Sequence, residues 1–135
     1  MASLVYHAFF ERLGRGAGDL QALSVKCALT SSYTPNKDHA FWSDVTGEAS
    51  GTGYSAGGTV VTATVTDDDA NDRADIVLGD AVWAASTITA SGAVYYVDTG
   101  VAGTSWLIMF NDFGSGQSST AGTFTVSSST VRIPT

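Results

Sequence analysis

Hydrophobic and polar residues alternate in two stretches of the chain. In residues 23–30 the apolar positions are Leu23, Val25, Cys27 and Leu29, with Ser24, Lys26, Ala28 and Thr30 between them. In residues 59–66 threonine and valine alternate in a similar way. Successive side chains of a β-strand point to opposite faces, so each stretch predicts a strand with one buried face.

Shorter β-prone stretches follow, separated by turn residues. Residues 104–110 include five consecutive apolar side chains, which predicts a central strand buried on both faces. The acidic residues 67–72 predict a hairpin turn, and residues 111–122 predict a Gly/Ser loop. Further strands are expected at residues 74–78, 81–83, 87–89, 93–97, 123–126 and 130–133. About eight short strands at this spacing predict an all-β fold, a β-sandwich or jelly roll, in a single domain spanning residues 1–135.

Two segments depart from this pattern. Within the N-terminal segment, residues 1–20, apolar side chains of residues 3–13 share a broad helical face, so one short helix is expected, with a strand as the rival interpretation. Residues 14–18 are a glycine-bearing break after it. Residues 31–58 form a long Gly-rich loop, in which residues 38–45 predict one short helix capped by Asp38.

Charge and composition narrow the classes of function. The chain has 135 residues and a net charge of −7. Proteins that bind a nucleic-acid backbone do so with clustered Lys and Arg, but the six basic residues of this chain are scattered along the sequence. No apolar run is long enough to span a bilayer, and no signal peptide is recognised. We therefore expect neither nucleic-acid nor membrane partners, and synthesis in a cytoplasm. Cys27 is the only cysteine, so no intrachain disulfide forms, and its place in an alternating run predicts a core residue.

Candidate catalytic and metal-binding patterns are weak. Asp67, Asp69 and Asn71 have the first spacings of a calcium loop, but Asp72 and Leu78 stand where glycine and glutamate are required. A solvated turn is favoured, and a looser calcium site stays open. His7 and His39 with one cysteine do not complete a zinc site. A nucleophile elbow, a phosphate loop and a positioned pair of carboxylates are all missing from the sequence. We expect no cofactor, no metal and no enzymatic activity.

Aromatic residues are the other candidates for function. Trp83 and Trp106 lie in apolar strands and are expected in the core. They could also form a sugar-stacking platform together with Trp42, Tyr54, Tyr95 and Tyr96. For Trp42 and Tyr54, which lie in the long loop, packing and sugar stacking are equally open. The sequence leaves that choice open.

Three segments together resemble a family of small structural proteins of tailed-phage virions, many of whose members have no assigned place in the virion. They are LTSSYTPNKDH (29–39), FWSDVTGEASGTGYSAGG (41–58) and DFGSGQSS (112–119). The similarity extends from about Leu23 to Val126. The carboxyl end, residues 131–135, departs from it because such proteins tend to finish on an apolar strand and this chain ends in Pro-Thr.

The resemblance implies a virion protein without catalytic function. The preferred role is capsid cement or decoration on the capsid surface, with the major capsid protein as partner and a homo-oligomer, a dimer or trimer, as the assembled form. The long loop is expected to supply adaptable contacts because structureless loops of this length are usually functional. Its candidate partner-contact residues are Tyr33, Pro35, Trp42 and Tyr54. The alternative is a tail, neck or fibre component that binds host-surface glycans.

Overall fold

The computed structural model describes residues 3–16, 18–71 and 73–134. It is mostly antiparallel β-structure with one α-helix among these residues, which confirms the expected β-rich class. Of the residues in predicted segments, Met1, Ala2, Ala17, Asp72 and Thr135 lie outside the described part. The elements are β1 (Leu4–Val5), α1 (His7–Gly14), β2 (Val25–Thr30), β3 (Gly51–Thr52), β4 (Thr59–Val61), β5 (Ala63–Asp68), β6 (Arg73–Leu78), β7 (Ala81–Val97), β8 (Leu107–Val126) and β9 (Ser129–Pro134).

The strands form two sheets. The larger has the order β1-β8-β7-β2-β4, with β3 paired to β7 beside β2, and the smaller has the order β5-β6-β9. The chain passes from one sheet to the other at Thr62, between β4 and β5. The predicted strand 59–66 is therefore two strands, because its two halves pair in different sheets.

Both sheets contribute side chains to one hydrophobic core. Ile76 and Leu78 of the smaller sheet belong to the same buried cluster as Cys27, Trp83 and Trp106 of the larger sheet and its connections. The expected core positions of Cys27 and the two tryptophans are confirmed. Burial raises the pKa of the Cys27 thiol to about 12, as expected for a cysteine that fills space rather than reacts.

The long loop, residues 31–58, packs on a second cluster of the larger sheet. Tyr33, Trp42 and Val45 of the loop contact this cluster, which includes Tyr96 and Phe110 from β7 and β8. The loop is fixed to β2 by backbone hydrogen bonds, among them one from Ala49 N–H to the Leu29 carbonyl at 2.8 Å. It is irregular, as expected, but it is packed against the sheet along much of its length.

β7 and β8 form one long hairpin in place of several short strands. The predicted strands 81–83, 87–89 and 93–97 are joined in β7. The predicted Gly/Ser loop 111–122 is wrong, because the segment lies within β8 and half of its residues pair with β7. Register shifts interrupt the pairing, the largest where Ala90 faces Gln117 and Gly92 faces Asp112, so that residues 113–116 bulge out of the ladder. Small polar residues thus extend the strand and also bend it.

The expected helices are shorter than predicted. Leu4 and Val5 pair with β8, so the N-terminal helix starts only at His7. Residues 38–45 contain a single turn of 3-10 helix, Trp42–Asp44, whose start is fixed by Asp44 and not by Asp38. The acidic turn is confirmed as the β5–β6 hairpin, closed by a 3-10 turn at Asp69–Asn71.

Candidate functional site

Tyr33 lies in the interior, although it was expected at the partner-contact surface. Its side chain is 2% exposed, and its ring packs edge-on against Phe110. Its hydroxyl lies 3.0 Å from the Tyr6 hydroxyl and 2.7 Å from His39 Nδ1. Burial raises the pKa of Tyr33. The side chain holds the loop to the sheet and leaves little surface for a partner.

Tyr54 fastens the other end of the loop. Its hydroxyl accepts a hydrogen bond from Leu29 N–H at 3.0 Å and donates one to Glu48 Oε2 at 2.7 Å. The same carboxylate oxygen accepts from Gly57 N–H at 2.6 Å. Burial, and then the hydrogen bond to Glu48, raise the pKa of Tyr54. The ring packs at a tilt against Trp83, with 5.7 Å between centroids, so Tyr54 links loop, strand and core.

Trp42 is half-buried and stacks on a tyrosine of β7. Its ring lies parallel to that of Tyr96, with centroids 4.6 Å apart and an interplanar angle of 10°. Its backbone N–H donates to the Ser105 carbonyl at 2.7 Å. Asp44 fixes the turn by accepting from the N–H groups of Ala40 and Phe41, and these hydrogen bonds lower its pKa.

Pro35 is half-buried at an outer turn of the loop. In the adjoining turn, Asp38 N–H donates to Asn36 Oδ1 at 2.9 Å, and His39 N–H to the Asn36 carbonyl at the same distance. Of the four predicted contact residues, the structure brings only Trp42 to the wall of a cleft.

That cleft has a volume of about 300 Å³ and lies between the long loop, β2 and the β7–β8 turn. On one side Lys26 Nζ lies 3.0 Å from Asp98 Oδ2, and each of the two side chains is 27% exposed. Asp98 also accepts from Gly100 N–H at 2.9 Å, and this hydrogen bond, together with Lys26, lowers its pKa. Its other walls include Trp42, Tyr96, Glu48 and Ser105.

Sequence reasoning missed Lys26 and Asp98 but included Tyr96 among the candidate sugar-stacking aromatic residues. Lys26 and Asp98 are far apart in the chain and come together because β2 pairs with β7 in a register that sets Lys26 opposite Tyr96. The signal in the sequence was that Lys26 lies on the face opposite Cys27. No local motif marks Asp98.

The described residues offer little for acid–base or metal chemistry. No group of three or more His, Cys, Asp or Glu side chains lies close enough to hold a metal ion in this part of the chain. His7 Nδ1 lies 3.1 Å from Asp38 Oδ1, and both side chains are largely exposed. At the acidic turn, Asn71 Nδ2 donates to the carboxylate of Asp68 at 3.0 Å. No helix within the described ranges is long and apolar enough to cross a membrane.

Comparison with known proteins leaves the chain without an assigned relative. No protein-family model, no curated protein and no solved structure matches it.

Proposed function

We propose that this chain is a structural protein of a tailed-phage virion, most specifically a capsid cement or decoration protein that binds and stabilises the shell of the major capsid protein. The observation that carries the proposal is the resemblance of three sequence segments, spread between Leu23 and Val126, to small virion proteins. The role is one of binding and not of catalysis.

The packing of the chain supports a structural role. Two antiparallel sheets share a core, which is the arrangement expected of a β-sandwich. The long loop is fastened to the larger sheet by Tyr33, which belongs to the second cluster, and by Tyr54, which packs against the shared core. A protein packed in this way loses little conformational entropy when its surface binds a partner. Repeated weak contacts of a rigid protein stabilise a shell by mass action.

Helix α1 offers the contact surface that fits this role best. Phe10 and Leu13 project from the helix, with 49% and 36% of their surfaces exposed, respectively. Arg12 lies beside them with its guanidinium 5.7 Å from the centroid of the Phe41 ring. Exposed apolar side chains rimmed by charges are typical of protein–protein contacts. The net charge of −7 suits a partner with a basic surface, and the regular lattice of a capsid suits a dimer or trimer of this chain.

The direct test is binding to shells assembled from the major capsid protein alone. The double variant Phe10→Ser, Leu13→Ser should bind at least tenfold more weakly in co-sedimentation, because the apolar contact is removed. Val101→Ser is the matched control, since Val101 is 61% exposed on a turn outside α1. Failure of the unaltered chain to bind shells would overturn the proposal. If the double variant binds shells as strongly as the unaltered chain, the contact surface is not on α1.

The loop itself is unsuitable for a deletion test. Removing residues 47–57 would delete β3, the Glu48 carboxylate and Tyr54 together, so the loss of fold would obscure any loss of binding. Point substitutions on α1 avoid this because the altered side chains are exposed.

A further inference from the structure

We propose that the cleft between Lys26, Trp42 and Asp98 binds a neutral sugar ring. No residue of α1 lines the cleft, and the inference is independent of the place of the chain in the virion. Its volume of about 300 Å³ is at the small end of ligand pockets, which suits one or two sugar rings.

The half-buried Trp42 ring supplies the apolar contact that a sugar needs, and Tyr96, which is 2% exposed, supports it from behind. Trp42 and Tyr96 are stacked in parallel, and the Tyr96 hydroxyl donates to the Gly57 carbonyl at 2.6 Å. Both rings are therefore held in place before a ligand arrives. One face of a pyranose ring is made of C–H groups, and these pack favourably on an aromatic surface.

The polar wall matches hydroxyl groups better than it matches a charged ligand. Lys26 has three N–H donors, and Asp98 offers two oxygens as acceptors, with Nζ and Oδ2 only 3.0 Å apart. Neighbouring hydroxyls of a sugar each donate and accept, so they can bridge such a pair. An anionic ligand would meet Asp98 and Glu48, whereas a cationic one would meet Lys26.

The polar groups are also fixed in orientation. Asp98 is held by Gly100 N–H, and Glu48 is held by the Tyr54 hydroxyl and Gly57 N–H. Ordered side chains lose little entropy when a ligand binds, which favours affinity for a small molecule.

The test is saturation-transfer NMR with purified full-length chain and a panel of neutral monosaccharides, each at millimolar concentration. We expect at least one sugar to show transfer to its ring C–H protons. Trp42→Ala should weaken binding about tenfold, the loss expected when an aromatic contact is removed. Lys26→Met keeps the aromatic wall and removes the donors, so it tests the polar wall and serves if Trp42→Ala does not fold. Phe10→Ala, which removes an exposed aromatic ring elsewhere, should bind as the unaltered chain does.

Three results would overturn the inference. They are no transfer to any sugar of the panel, transfer in the Trp42→Ala variant equal to that in the unaltered chain, and transfer in the Lys26→Met variant equal to that in the unaltered chain. None of them bears on the virion proposal, which is tested by shell binding without sugar.

Discussion

Replacing Tyr54 by phenylalanine tests whether the contacts of the long loop contribute to the free energy of unfolding of the whole domain. The substitution keeps the ring, which packs against Trp83, and removes only the hydroxyl. That hydroxyl accepts a hydrogen bond from the N–H of Leu29, a residue with no exposed surface, and donates one to the carboxylate of Glu48, which is half-buried.

The expected cost follows from these two contacts. A buried N–H left without an acceptor costs about 2 kcal/mol, and the lost hydrogen bond to a carboxylate that keeps its Gly57 partner adds about 1 kcal/mol. The sum, about 3 kcal/mol, is a large share of the stability of a small domain. For a chain of this length it corresponds to a fall in Tm of about 10 °C.

Urea unfolding followed by tryptophan fluorescence measures this difference directly. Tyr95→Phe is the matched control. The Tyr95 hydroxyl lies 3.4 Å from Ser129 Oγ and accepts no hydrogen bond from a backbone N–H among the described residues. The control should lose less than about 1 kcal/mol. A Tyr54→Phe variant within about 0.5 kcal/mol of the unaltered chain would refute the reasoning, since surface substitutions have effects of that size.

Three further predictions concern the core and the turns. Gly58→Ala should cost about 3 kcal/mol or more, because Gly58 has a φ of +84° and a Cβ there would collide with the Cys27 carbonyl oxygen. Gly100→Ala is its control, with a similar φ of +89° and open space around it, and equal losses of stability in thermal melts of the two would contradict the collision. The Cys27 thiol, with its pKa near 12, should react with a thiol-specific disulfide reagent only as fast as the chain unfolds, whereas rapid labelling of the native protein would show that it is accessible. The lowered pKa of Asp44 contributes stability that is present above its unfolded pKa of about 3.9 and is lost as the pH falls through its folded pKa. Asp44→Ala should therefore cost about 1 kcal/mol at neutral pH and flatten that part of the acid-unfolding profile, and an unchanged profile would contradict the capping role.

The alternation of apolar and polar residues, which marks a strand with one buried face, was sufficient to predict the β-rich class and several strands. The alternation around Cys27 marked β2, and the continuous apolar run at Leu107–Phe110 marked the buried part of β8. Such patterns are local, and each strand shows its own buried face in the sequence. They do not show which sheet a strand joins, so the break at Thr62 was missed.

The long hairpin could not be predicted from local preference. Residues such as Ser118 and Gly122 favour turns in isolation, and pairing with β7 overrides this preference in half of the segment. The Ser86 hydroxyl, fully buried, is 2.9 Å from the Ser119 hydroxyl and donates to the Gly122 carbonyl at 3.0 Å, so serine there stabilises the irregular pairing. Polarity in this segment reflects internal hydrogen bonds as well as exposure.

The candidate site was predicted only in part for a related reason. Their position in the loop and their aromatic character indicated Trp42 and Tyr54 as site residues. These features did not show that Trp42 lines a cleft whereas Tyr54 forms hydrogen bonds within the protein. The distinction depends on Tyr96 and Asp98, which approach the loop only in the folded chain. Tyr33 was expected at the surface because loops are usually exposed, yet this loop covers a sheet.

The most direct test of the proposal that this chain is a capsid cement protein is its copy number in purified virions of a tailed phage whose genome carries its sequence, measured by quantitative mass spectrometry against the major capsid protein. A capsid cement protein occupies repeated sites on the shell, so we expect an amount comparable with that of the major capsid protein. A small fraction of that amount would contradict the cement role and place the chain in the tail, neck or fibres. Absence from the virion would contradict the structural proposal altogether.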